Sequence, residues 1–203
     1  MNLFERLDEA RVRWNVLDHP FYRRWERGEL SADDLGHYAG EYRHAVVALA
    51  QTAAQAAARD PELQEHADEE AAHVALWDAF AWSAGADAAR PAQAETEECV
   101  RAWTGAQDGL EALAILYAVE SGQPAISKTK LDGLVDHYGF SGDGPATAYF
   151  CVHSTLDEVH AKEARRRLED HATPEDSDRL VGAASAALEG NWRLLDGVEA
   201  ALT

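Results

Sequence analysis

Apolar residues recur along most of the chain at three- and four-residue intervals, and no stretch alternates apolar with polar residues cleanly enough to predict a strand. The pattern predicts an all-α protein. A first helix covers residues 3–17. Asp18-His19-Pro20 interrupts it, because proline disfavours helix at the residue before it. Pro20 can then open a short helix reaching Arg27, and Gly28 stops that one. Ser31-Ala32-Asp33-Asp34 predicts an N-cap with acid in the first turn, starting a long helix to about Arg59. Asp60-Pro61-Glu62 starts another helix to about Ala84. Residues 85–95 are a surface linker. Helices follow over 95–104 and 109–122 and, after Gly122-Gln123-Pro124, to about Tyr138. Residues 139–145 are a loop, 146–170 one long helix, and Thr173-Pro174-Glu175-Asp176 caps a last helix ending near Ala201. Apolar faces on both sides of the linker predict one domain over 1–203.

Composition narrows the setting. A chain of 203 residues can bury a sizeable core. No apolar run approaches the ~20 residues needed to cross a bilayer, and Met1 to Arg6 lacks the apolar centre of a signal peptide. The expected setting is soluble and cytoplasmic. Cys99 and Cys151 stand far apart, which argues against a disulfide framework and a Cys-rich zinc site. A formal charge of −19 repels nucleic acid and anionic membrane.

Candidate chemistry lies in three places. His153, Asp157 and His160 are spaced i, i+4 and i+7, within about 60° on one helix face. Two imidazoles and a carboxylate on one stripe make an edge suited to Fe, Mn or Zn. Asp68-Glu69-Glu70 precedes His73 by three to five residues, and Leu76, Trp77 and Phe80 continue the face inward. Acid on a core-directed stripe is costly unless paired or metal-bound. Glu120 ends the apolar run Leu113 to Val119, as a ligand, a salt-bridge partner or a surface helix end. Lys130 is one of three lysines; near a metal site it could bind an anion or react, and elsewhere it is an exposed helix lysine. Glu41-x-x-His44 with Glu70-x-x-His73 invites a ferritin-like di-iron architecture, ranked second because it leaves His153, Asp157 and His160 without a role. His66 lies on the same face as His73; His37, His137 and His171 read as structural or solvated. Cys151 reads as inert.

Longer motifs then carry a resemblance. Leu17-Asp18-His19-Pro20-Phe21-Tyr22-x-x-Trp25-x-x-Gly28-Glu29-Leu30 opens it, followed by Tyr38-Ala39 and His73-x-x-x-Trp77. Tyr117-x-x-Glu120-x-x-x-Pro124-x-Ile126-x-x-x-Lys130-x-x-Gly133-Leu134 and His137-Tyr138-Gly139-Phe140-Ser141 come next, and Tyr149-Phe150-x-x-His153-x-x-x-Asp157-x-x-His160-Ala161 closes the match. The chain resembles the heme-oxygenase-like di-metal oxidases of the TenA/PqqC-like helical group, and most of all the branch of the Chlamydia protein associating with death domains. The resemblance implies a single helical bundle of about seven to eight helices. It implies two transition-metal ions (Fe/Fe or Mn/Fe) held by Glu70, His73, Glu120, His153, Asp157 and His160. Glu69 competes with Glu70, because this chain is shorter there than its relatives; the Glu-x-x-His spacing of the fatty-acid-decarboxylating relatives favours Glu70. It implies an oxidoreductase with O₂ as co-substrate, acting on a small molecule or on its own side chains, and a homodimer. The Chlamydia-like members make p-aminobenzoate from a sacrificed tyrosine with a lysine as amino donor, and Tyr22 and Lys130 match those positions by motif. Two competing readings are a metal-free TenA/PqqC-like thiaminase or cofactor-precursor binder with a Cys nucleophile, and an interaction protein.

Overall fold

Side-chain caps fix several of the helix starts. Asn2 and Glu5 form a reciprocal capping box that opens α1, Leu3–Arg13. The Nδ1 atom of His19 accepts from the Phe21 amide and opens α2, Pro20–Glu26, with proline in its first turn. Ser31 and Asp34 form the capping box of α3, Ala32–Ala57. Asp60 caps a short 3-10 turn that leads into α4, Gln64–Ser83. Then come α5, Ala94–Thr104, and α6, Gly109–Glu120, the latter capped by Asp108. The chain continues through α7, Gln123–Asp136, α8, Ala148–His153, α9, Asp157–His171, and α10, Ser177–Ala201. The computed structural model describes residues 1–87 and 89–202. Ala88 of the predicted linker and Thr203 at the end of the predicted domain lie outside the described residues.

Among the described residues the chain is all-helical, with ten α-helices and no strand. This exceeds the expected seven to eight; the periodicity itself marks nine helical segments, and the tenth α-helix arises because the predicted 146–170 rod is divided. The first helix ends at Arg13, and Asn15 caps a separate 3-10 turn at Val16–Asp18. The predicted 146–170 rod is broken at residues 154–156, where the Ser154 and Thr155 hydroxyls bond back to the Cys151 and Val152 carbonyls. Helical dihedrals at Ser154 and Leu156 keep the two pieces nearly in register.

Long helices α3 and α10 form the frame. α3 packs on α4, α5 and α6, α10 packs on α5, α6 and α1, and α9 lies against α6. Buried indoles pin these contacts through backbone carbonyls: Trp77 donates to Ala39 (2.9 Å) and Trp103 to Ala187 (2.9 Å). Gly28, at φ 68°, ends α2 in a left-handed conformation against the His137 ring, where a Cβ would lie 2.8 Å from Cγ. The frame leaves α4, the end of α6, α7, α8 and the start of α9 facing one interior.

Candidate metal centre

Four elements aim the sequence-predicted ligands into that interior. Glu70 and His73 come from α4, Glu120 from the last residue of α6, His153 from the end of α8, and Asp157 and His160 from the first turn of α9. All six are buried. Glu70 Oε1 lies 3.0 Å from His73 Nδ1. Both Asp157 oxygens lie 2.9 Å from His153 Nδ1. His160 Nδ1 is 3.9 Å from both Glu70 and Asp157. The His73 and His153 rings meet edge to face at 4.5 Å.

The three acids before His73 separate by register. Asp68 is exposed and bonds Gln64. Glu69 is half-buried and reaches His160 Nε2 at 2.9 Å from the rim. Glu70 points inward. Glu120, open between ligand, ion pair and surface from sequence, is fully buried. Glu41 turns away toward α5, accepting from Thr96 Oγ1 and the Gln93 amide, and His44 lines a surface cleft with Arg43 and Trp82. The ferritin-like pairing is therefore not formed.

One residue that sequence reading left outside the ligand set joins the cluster. His66 Nε2 approaches Glu120 Oε1 to 2.8 Å, and its ring stacks on His160 at 3.9 Å. Ligand-capable atoms of His66, Glu70, Glu120 and His160 lie within 4.8 Å of one another, as do those of Glu70, His73 and His153. Glu70 belongs to both groups. The signal was the spacing: His66-x-x-x-Glu70-x-x-His73 repeats the pattern His153-x-x-x-Asp157-x-x-His160.

The electrostatics call for cations. Burial pushes the Glu120 carboxyl well above the usual range, and the neighbouring Glu70 and Asp157 charges push it further. Burial also raises Asp157, with the His153 hydrogen bond working the other way. Burial acts upward on Glu70 too and is the largest single influence, but the His73 hydrogen bond and the neighbouring His153, His73 and His66 imidazoles together hold this carboxyl below its ordinary value. Burial lowers His66 and His160, leaving neutral imidazoles with free lone pairs. Both Glu120 oxygens, His66 Nε2, His153 Nε2 and His160 Nδ1 are buried outside hydrogen-bond geometry. Such orphaned atoms are costly unless a ligand engages them. Three carboxylates and four imidazoles with no thiolate suit two divalent iron-like ions in charge and in softness. The residues fit a two-metal group.

A second buried feature adjoins the cluster. Lys130 on α7 is fully buried, and burial pulls its ammonium down to about 7. Its Nζ lies 4.3 Å from the Tyr42 ring centroid, 5.4 Å from Trp77, 5.5 Å from Tyr38, and 5.7 Å from both Tyr22 and Phe150. The Tyr22 and Tyr38 hydroxyls are 3.1 Å apart. Trp77 contacts Tyr149 at 4.9 Å, and Tyr149 contacts His153 at 4.1 Å, so the aromatic box runs directly into the cluster. The cysteines stand apart: burial pushes the Cys99 thiol up, and exposed Cys151 donates to the Gly142 carbonyl. Neither has the activated character of a nucleophile. No helix is long and apolar enough to cross a membrane among the described residues.

Comparison with known proteins agrees with this picture. The family model described as an iron-containing redox enzyme matches residues 44–192. The 4-aminobenzoate synthase of Nitrosomonas europaea is 33% identical over 211 residues, covering 91% of this chain and 85% of that protein. The 4-aminobenzoate synthase of Chlamydia muridarum is 28% identical, covering 97% of this chain and 89% of that one. A Shewanella denitrificans domain with a heme oxygenase-like fold superposes with a TM-score of 0.79 at 20% identity, over 99% of this chain and 93% of that chain, a likeness of fold.

Proposed function

The chain belongs to the iron-containing redox enzyme family and is an oxidative enzyme; from that premise we propose that it is an O₂-dependent di-metal 4-aminobenzoate synthase that consumes its own Tyr22 and Lys130. Two iron ions, or iron with manganese, held by Glu70, His73, Glu120, His153, Asp157 and His160, would supply O₂ reduction and the oxidising equivalents. The observation that carries the reading is the fully buried amine of Lys130, its charge disfavoured by burial, enclosed by phenol rings beside the metal-fitted cluster.

In this reading Tyr22 gives up its ring together with Cβ. The Cα–Cβ bond breaks, Cβ is oxidised to the carboxylate and Cα takes up a hydroxyl. The phenol oxygen leaves as water when the Lys130 amine bonds to its ring carbon, and oxidation of the Lys130 Cε–N bond releases the nitrogen to the product and leaves an aldehyde at Cε. O₂ is the oxidant. A protonated ammonium is no nucleophile, so an amine already near neutrality at about 7 is ready for C–N bond formation. The box excludes water: Tyr22, Tyr38, Tyr42 and Trp77 are essentially unexposed. Burial also holds the Tyr22 phenol protonated, well above its ordinary value. Three phenols surround the amine, and Tyr42 rather than Tyr22 is the nearest. The Tyr22 assignment therefore rests on its motif, and Tyr42 is the alternative ring that the geometry favours.

Isotopes decide the matter. Protein carrying ring-¹³C tyrosine and ε-¹⁵N lysine is loaded with ferrous iron and exposed to O₂ without added substrate. The expected product is doubly labelled 4-aminobenzoate, at no more than one molecule per chain. Tyr22→Phe and Lys130→Arg should each abolish it while metal stays bound. Doubly labelled product lost in Tyr42→Phe but retained in Tyr22→Phe moves the role to Tyr42. Unlabelled product made only from a supplied small molecule overturns the self-derived route.

A further inference from the structure

We propose that His66 is a seventh ligand of the centre, completing a second-metal site of His66, Glu70, Glu120 and His160. This deepens the di-metal reading above and rests on it. The two ligand helices carry the same pattern, a histidine, an acid four residues later and a histidine three beyond that, on α4 and again across α8 and α9. At helical spacing each triplet forms one stripe. The stripes face each other in reverse order. His73 meets His153 at 4.5 Å, and His66 meets His160 at 3.9 Å, with Glu70 and Asp157 between the two imidazole pairs. Each metal would thus take one histidine from each stripe. Without His66, the site beside Glu120 has only one.

The alternative role for His66 is a hydrogen-bond donor that steadies Glu120. The local geometry disfavours it. His66 Nε2 sits 2.8 Å from Glu120 Oε1, yet both atoms lie outside hydrogen-bond geometry. The ring instead lies nearly parallel to His160, tilted 33°, with its free nitrogen turned to the region that Glu70 and His160 also face. A shared cation satisfies all four groups; a hydrogen bond satisfies only two.

The test titrates chelator-treated full-length protein with Co²⁺, following its visible bands and the bound metal. Wild type should take two equivalents. His66→Ala and His66→Gln should keep the first within about threefold and weaken the second by at least about tenfold, the lower bound for losing even an outer partner. Circular dichroism checks that each variant folds. A measurement without variants stands beside it: fully loaded wild type should give four paramagnetically shifted, exchangeable imidazole N–H signals. Three signals, or two equivalents bound unchanged by both His66 variants, would overturn the assignment of His66 and leave the di-metal reading intact. Wild type that binds no Co²⁺ would overturn both.

Discussion

Two regions of one interior bury ionisable groups in opposite ways. In the metal centre, Glu70 lies close enough to Glu120 and Asp157 to raise their proton affinity, and several neighbouring imidazoles have free lone pairs. In the aromatic box, Lys130 Nζ has no ion pair among the described residues; ring faces surround it, and burial shifts it. The first region is unbalanced until positive charge arrives. The second is balanced by giving up its proton. Trp77 and Tyr149 lie between them. A cluster that draws cations beside an amine whose charge burial disfavours fits the proposed oxidation coupled to amine transfer, since a charged ammonium would repel the metals.

The largest effect should come from removing the amine. Burial lowers Lys130 to about 7 in the folded protein, against the ordinary lysine value of 10.5 in the unfolded chain, so across that window the unfolded chain holds a proton that the folded one lacks. Stability of the metal-free protein should therefore rise with pH from about 7 to about 10.5, by on the order of 5 kcal/mol. Lys130→Met should flatten this slope and be the more stable chain at pH 7, with the advantage shrinking toward alkaline pH. Urea unfolding of both proteins across the range measures it. Parallel curves would mean that the amine keeps its charge, and the contrast with the metal centre would fail.

Much of the frame was legible in the sequence because its signals are local. The Ser31–Asp34 capping box, the Pro20 helix start and the Gly28 stop each depend on a few adjacent residues. The split between α8 and α9 was not, because whether Ser154 and Thr155 bond back to the chain or outward is decided by packing. His66 was set aside for a similar reason: its part in the site depends on the reverse alignment of two helices distant in sequence. Glu69 and Glu70 differ by one register step, which the shortened segment hid; in the fold, Glu70 is inside and Glu69 at the rim. Lys130 reads as an ordinary exposed lysine until α2, α3, α4 and α8 bring five rings around it.

The second effect sharpens the metal side. Glu70 belongs to both ligand groups, so Glu70→Ala should weaken both metals together, by more than about a hundredfold, since losing even an outer partner costs 10–100-fold. Competition with a chelating dye reads each affinity. Loss of one metal with the other unaffected would remove Glu70 from the bridging position. Lys130→Met, measured in the same way, should leave both affinities within about twofold.

The smallest effect separates the two regions by geometry alone. Trp25 Nε1 donates to the Lys130 carbonyl at 3.2 Å, and the indole reaches it by crossing directly over Gly133. A Cβ at that position would lie 2.5 Å from Trp25 Nε1 and 2.6 Å from Cδ1, far inside contact distance. The indole cannot yield freely, because it packs at 5.5 Å on Tyr38 and at 5.7 Å on Tyr138. Gly133→Ala should therefore cost about 2 kcal/mol, as overpacking of a tight interior does, and displace the box. Metal affinity should not change, since the rings packed on Trp25 are Phe21, Tyr22, Tyr38 and Tyr138 and none of these is a proposed ligand. Urea unfolding and Co²⁺ titration of the same variant read the two regions independently. A matching loss of metal affinity would mean that the box and the centre form one mechanical unit, not two neighbours.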